Sequence, residues 1–142
     1  MSQITKNFNL QEFIQSDTAD RLGIDNTPSE QAVENIALLC TKLLQPLRDL
    51  CAKPLYINSG YRCEELNKAV GGVESSQHRQ GLAADVRCEG LTPCELANRV
   101  IGSGLNYDQM GLYPSFVHLS YNRYAENRMQ VFYSDKYEGT KL

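Results

Sequence analysis

The sequence predicts a small single α+β domain, a central antiparallel sheet with helices packed on it. Helix-period apolar patterns gather in the first half of the chain and short strand-like runs in the second, with no alternating strand–helix–strand series. The length, 142 residues, allows one core: a chain of this size buries roughly two-thirds of its unfolded surface. Hydrophobic residues at 42% and charged residues at 22% exclude disorder or coiled coil for the whole chain.

Residues 1–26 read as an irregular N-terminal arm with one short helical piece over 10–16. Thr27-Pro28-Ser29-Glu30 then places Thr at an N-cap, Pro at the first helical position and Glu three after the cap, a capping box. Behind it Val33, Ile36, Ala37, Cys40, Leu43, Leu44, Leu47 and Leu50 build one apolar stripe. Pro46 is expected to kink or interrupt this helix near its end. Lys53-Pro54 breaks the pattern, and 55–58 alternates as a strand does. Ser59-Gly60 turns into a short helix over 63–70, and Gly71-Gly72 opens a polar loop that runs to Gln80.

A strand is expected over 83–88. Thr92-Pro93-Cys94-Glu95 repeats the cap signal and starts a helix ending near Gly102 and Gly104. Strand-like runs follow at 109–112, 116–120 and 130–133, and the tail, 135–142, is expected to pack loosely. No internal repeat or linker divides the chain, so one domain is expected over 1–142.

Charge and cysteine usage exclude several functions. Fourteen Lys and Arg against seventeen Asp and Glu give a net charge of −3, with no local basic patch, so neither nucleic acid nor an anionic membrane is an expected partner. The longest apolar run, 36–40, is far short of the about 20 residues of a membrane span. The N-terminus lacks the apolar core of a secretory signal, which makes the chain cytoplasmic as synthesised. Five cysteines, Cys40, Cys51, Cys63, Cys88 and Cys94, show no CxxC spacing; they read as free thiols packed as small apolar groups, not as a disulfide framework or a thiolate zinc knot.

Chemistry concentrates around the only two histidines, His78 and His118. A lone histidine is most often a packed structural residue. Here the Gly and small residues between His78 and Asp85 let the backbone turn tightly into a strand, where an imidazole on the loop can meet the carboxylate. His118 lies in the apolar run Phe116-Val117-His118-Leu119-Ser120, a rigid strand. Two imidazoles and one carboxylate, with an open fourth position, form a known catalytic zinc set. Gly71-Gly72 is no phosphate loop, since no GxxxxGK or GxGxxG accompanies it. Cys88, three after Asp85, would need a histidine to activate it, and both histidines serve better as ligands. Tyr113, Tyr121, Tyr124 and Tyr133 read as sheet packing, with a binding groove as the alternative.

Four segments together carry a resemblance. They are Ser59-Gly60-Tyr61-Arg62, then Leu66-Asn67-Lys68-Ala69-Val70-Gly71-Gly72, then Ser76-Gln77-His78-x-x-Gly81-x-Ala83-x-Asp85, then Phe116-Val117-His118. From residue 7 to about 120 the chain resembles the hedgehog-type zinc peptidases of the bacterial cell wall. That family includes zinc D-alanyl-D-alanine carboxypeptidases and phage L-alanyl-D-glutamate endopeptidases.

The resemblance implies that His78, Asp85 and His118 bind one Zn²⁺ per chain, with water in the fourth place. It implies that Arg62 holds the substrate, by a terminal carboxylate or the developing oxyanion; a salt bridge is its structural alternative. Ser76 orients the loop or a substrate carboxyl, or caps a turn. Many members carry a carboxylate a few residues before the final His as general base. The run Gly111-Leu112-Tyr113-Pro114-Ser115-Phe116-Val117 has none. Asp108 is the nearest upstream carboxylate, as base or as part of a structural turn, and Tyr113 is a candidate donor to the tetrahedral intermediate.

The implied function is a zinc metallopeptidase cutting amide bonds in peptidoglycan stem peptides that contain D-amino acids. A phage or prophage endolysin-type endopeptidase is the first alternative, waiting in the cytosol until released to the wall. A zinc-stabilised binding module without catalysis is the second.

Overall fold

The computed structural model describes residues 2–142; Met1, the first residue of the expected arm, lies outside them. The arm is more regular than a single helical piece. Strand β1 (Gln3–Thr5) pairs antiparallel with β2 (Phe8–Asn9). Asn9 caps α1 (Leu10–Ile14): its side chain accepts from the Glu12 N–H at 3.2 Å, and the Glu12 carboxylate accepts from the Asn9 N–H at 3.0 Å. The Ser16 side chain caps α2 (Asp17–Leu22), accepting from the Ala19 N–H at 3.1 Å, and Gly23 ends it in the left-handed region. Two side-chain caps offset the cost of starting such short helices. Phe8 and Phe13, edge to face and both buried, pin the arm to the core.

Helix α3 (Glu30–Leu39) begins at Ser29, two residues later than the expected Thr27 cap. Ser29 Oγ accepts from the Ala32 N–H at 3.1 Å. The Thr27 hydroxyl instead donates to the Asp25 carboxylate at 2.6 Å, which also takes the Thr27 N–H. An Asp two residues upstream offers a turn that competes with the capping box and wins.

The interruption set by Pro46 falls earlier than expected. Residues Cys40–Leu44 form a π-helical turn, in which the Gln45 N–H reaches back to the Cys40 carbonyl, and α4 (Gln45–Cys51) continues beyond it. The proline ring cannot sit against the carbonyl one turn before it, and widening that turn is the accommodation. The inserted residue rotates the apolar face. Leu39 and Cys40 are both fully buried as a result, whereas Leu50, placed on the stripe by sequence, is 52% exposed.

After β3 (Leu55–Ser59), α5 (Glu64–Ala69), β4 (Ala83–Cys88), α6 (Pro93–Ser103), β5 (Gln109–Leu112), β6 (Val117–Ser120) and β7 (Gln130–Tyr133) complete the domain. The Thr92–Glu95 capping box forms as the sequence predicts, and α6 ends on left-handed Gly104. The five-stranded sheet has the order β3-β4-β6-β5-β7. Every pairing is antiparallel except β5 with β7, which is parallel, the one departure from the expected sheet. Ala84, Val86, Val117 and Leu119 join Ile36, Leu43, Leu96 and Val100 in one buried core. In β4, Asp85 falls between core residues Ala84 and Val86, and in β6 His118 falls between Val117 and Leu119. Strand alternation therefore turns both site residues to the opposite face.

All five cysteines are free. Burial pushes the Cys51 thiol up to about 11, and that of Cys40 higher still, which keeps both protonated and inert. Along the tail, Tyr137 packs against the core, and the Tyr133 hydroxyl accepts from the Leu142 N–H at 2.8 Å. Among the described residues no helix is long and apolar enough to cross a membrane.

Candidate metal centre

One register row crosses the whole sheet. Ser59 stands opposite Asp85, Asp85 opposite His118, His118 opposite Gly111, and Gly111 opposite Phe132. Cross-strand partners share a face, so five strands deliver these positions to one line on the surface away from the helices.

His78 reaches that line from a separate element, the 3₁₀ turn Gln77–Gln80. Ser76 caps this turn, its Oγ accepting from the His78 N–H at 3.2 Å. Gly81 closes it at φ 79°, where a Cβ would stand 2.7 Å from the Ala32 carbonyl oxygen; only glycine lets the turn lie this close to α3. Buried Asn35 of α3 adds a tether, its Nδ2 donating to the Gln80 carbonyl at 2.8 Å. The Nδ1 of His78 lies 2.7 Å from the Gly60 carbonyl oxygen. A carbonyl can only accept, so Nδ1 carries the hydrogen and the neutral ring presents a lone pair at Nε2.

That lone pair faces two more ligand atoms. His78 Nε2 is 3.3 Å from His118 Nδ1 and 3.3 Å from Asp85 Oδ1, and His118 Nδ1 is 3.0 Å from Asp85 Oδ1. Tetrahedral zinc with bonds near 2.0–2.1 Å separates its ligand atoms by roughly 3.3 Å. The triangle is that size, and its donor chemistry, two imidazoles and a carboxylate, suits a borderline cation. The Gly60 carbonyl is the outer partner that a ligating imidazole requires. Burial raises the Asp85 pKa, but the adjacent His118 and His78 outweigh it and hold the carboxyl well below the usual range. The residues fit a divalent metal.

Arg62 borders the triangle, with Nη2 3.7 Å from Asp85 Oδ2. Its Nε donates to Ser59 Oγ at 3.3 Å and its Nη1 to Asn67 Oδ1 at 3.2 Å. Asn67 reaches it because Gly72 has no Cβ to block the way. Tyr113, just after β5, stacks on Phe116 with ring centroids 4.6 Å apart and meets Phe132 edge-on. Burial and the nearby Asp85 charge raise the Tyr113 hydroxyl pKa, with Arg62 opposing; the group is a donor at neutral pH.

Asp108 is fully buried at the start of β5. Its Oδ1 accepts from the Arg128 N–H at 2.9 Å and from Arg128 Nε at 3.0 Å, and its Oδ2 from Arg128 Nη2 at 2.7 Å and Gln77 Nε2 at 3.0 Å. Hydrogen bonds from the Arg128 side chain, against burial, hold its carboxyl below the usual range.

His78, Asp85, His118, Arg62, Ser76, Tyr113 and Asp108 all line one open cavity of about 770 Å³. Sequence reasoning missed several of their supports. Gly60, Ser59 and Asn67 lie inside the quoted motif segments but had no assigned role. Gln77 also lies inside one of those segments without a role, and Arg128 carried no signal. Gly111 did carry one, since a glycine inside a strand marks close approach by another group: the Phe132 ring lies over it, in the space a Cβ would take, and beside His118 with centroids 6.1 Å apart.

No curated protein matches the chain. Residues 6–120 match the family described as Peptidase M15, a span that holds His78, Asp85 and His118. The chain belongs to this family, the hedgehog-type zinc peptidases.

Proposed function

We propose that the protein is a zinc metallopeptidase that hydrolyses amide bonds in peptidoglycan stem peptides containing D-amino acids. The observation that carries the reading is the triangle of His78 Nε2, Asp85 Oδ1 and His118 Nδ1, with edges of 3.0–3.3 Å, on the wall of an open cavity of about 770 Å³. A zinc ion held there supplies Lewis-acid polarisation of the scissile carbonyl and activation of water near neutral pH.

The chain's own residues do the positioning. Arg62 is held in advance by Ser59 and Asn67, so it binds a substrate carboxylate or the developing oxyanion with little further loss of side-chain freedom. The Tyr113 hydroxyl stays protonated and donates to the same oxygen. Ser76 Oγ takes the His78 N–H and keeps its own O–H for a substrate carboxyl. Asp108 enters as a positioning residue: four donors occupy its oxygens, and through Gln77 it steadies the turn that carries His78.

A separate observation favours a second reading. Both carboxylates that line the cavity, Asp85 and Asp108, are engaged, which suits a zinc-stabilised binding module without turnover. Mass spectrometry of muropeptides, after incubation of peptidoglycan with zinc-loaded protein and with a chelated control, separates the two. Chelator-sensitive fragments support the peptidase, and their masses name the bond. His118→Ala is expected to lose metal and hydrolysis together; Arg62→Ala is expected to keep metal and lose rate. Zinc bound with no new fragments from several wall chemistries overturns the peptidase in favour of the module.

A further inference from the structure

The two guanidiniums of the cavity are held by different carboxylates, Arg62 beside Asp85 and Arg128 on Asp108. Arg62 follows β3 and borders Asp85 of β4, whereas Arg128 precedes β7 and pairs with Asp108 at the head of β5; in the sheet order β3-β4-β6-β5-β7, strand β6 lies between the two partners. Arg62 adjoins the metal ligands. Arg128 has no part in them.

Arg128 is nevertheless built into place. Its Nε and Nη2 lie along both oxygens of Asp108, and its own backbone N–H bonds to the same carboxylate. Gln77 donates a fourth hydrogen bond to Asp108, so the buried carboxylate is fully satisfied without the remaining N–H groups of the arginine. Asp108 is 0% exposed, while the Arg128 side chain is 54% exposed. The Nη1 edge therefore faces outward at the cavity wall on a side chain whose rotamer is already set. A preordered guanidinium loses little freedom on taking an oxyanion, and its planar fork suits a carboxylate. Around it the wall carries neutral hydrogen-bonding side chains, Gln77, Gln109 and Asn122. Among the described residues no other carboxylate lines the cavity apart from Asp85 and Asp108, both committed inward, so a chain of net charge −3 turns cationic groups toward this space.

We propose that Arg128 anchors a second subsite, which binds a carboxylate of the peptide substrate on the β7 side of the cavity, distinct from the group that Arg62 takes. This rests on the peptidase reading above and narrows its substrate class to peptides with an additional acidic group outside the scissile amide.

The test uses the zinc-loaded full chain and two stem pentapeptides, identical except that the α-carboxylate of the γ-linked D-glutamyl residue is free in one and a carboxamide in the other. Binding is read by titration calorimetry and cleavage by mass spectrometry. The wild type is expected to bind the acid about tenfold more tightly than the amide. Arg128→Gln is expected to erase that preference by weakening the acid alone, with zinc content unchanged. Because Arg128→Gln leaves Asp108 underpaired, the double variant Asp108→Asn with Arg128→Gln, which removes both charges, is measured beside it with the same expectation. Equal binding of acid and amide by the wild type, no binding of either, or a preference that survives in both variants overturns the subsite. A retained acid preference without chelator-sensitive cleavage of either peptide leaves the subsite standing and overturns the peptidase.

Discussion

The carbonyl oxygen of Gly60 stands 2.7 Å from Nδ1 of His78 and decides which nitrogen of that ring faces Asp85 and His118. Gly60 can do this because it has no side chain: a Cβ there would lie 2.7 Å from the Phe13 carbonyl oxygen and 2.8 Å from its Cα. Gly60→Ala must shift the backbone and with it the acceptor. Loss of such an outer partner typically weakens metal binding 10–100-fold. We expect a fall of about tenfold or more in zinc affinity, measured by competition with a chromophoric chelator. Unchanged affinity in a folded variant contradicts this role for the carbonyl.

Gly111 and Phe132 make a second such pair, in register on β5 and β7. Gly111→Ala drives a methyl into the Phe132 ring and is expected to cost about 1–3 kcal/mol, as overpacking does. It also displaces the wall beside His118, so turnover falls. Adding Phe132→Ala removes the clash, and the double variant is expected to recover stability relative to Gly111→Ala alone. Thermal melts of the four proteins in the cycle measure the coupling; strictly additive shifts refute it.

Asp108 makes stability depend on acid pH. Its folded carboxyl titrates below the unfolded one, chiefly because the Arg128 side chain donates to it. The unfolded chain therefore binds the proton first. The stabilisation is complete above the ordinary carboxylate range, about pH 4, and is lost as pH falls through the folded value. Asp108→Asn is expected to flatten this part of the acid-unfolding curve. At neutral pH it costs about 1–3 kcal/mol, because a carboxamide cannot accept from all four donors. Denaturant melts between pH 2 and 7 compare the two proteins, and parallel curves count against the assignment.

A change remote from the site serves as the contrast. Thr92 Oγ1 accepts from the Glu95 N–H at 3.2 Å, and Glu95 Oε1 accepts from the Thr92 N–H at 2.8 Å. Thr92→Ala is expected to lower stability by about 1 kcal/mol while zinc affinity and cleavage stay at wild-type levels. A loss of zinc affinity in this variant would show that α6 is coupled to the metal turn.

The sequence by itself determined what depends on neighbours in the chain. Short strand-like runs marked β4, β5 and β7 at their observed limits, and Thr92-Pro93-Cys94-Glu95 declared its helix, because strand composition and capping are local. Motif spacing singled out His78, Asp85 and His118, the three residues that converge in the fold. Tertiary structure decided whatever depends on distant partners or on competition between equally local signals. Asp25 took the Thr27 hydroxyl and moved a helix start. Pro46 was legible, but the widened turn before it, and hence the exposure of Leu50, followed from how the helix met the core. Gly60 meets His78 across 18 residues and Arg128 meets Asp108 across 20. No periodicity records such pairings: they arise only when sheet register and a buried carboxylate's need for donors bring those atoms within hydrogen-bonding distance.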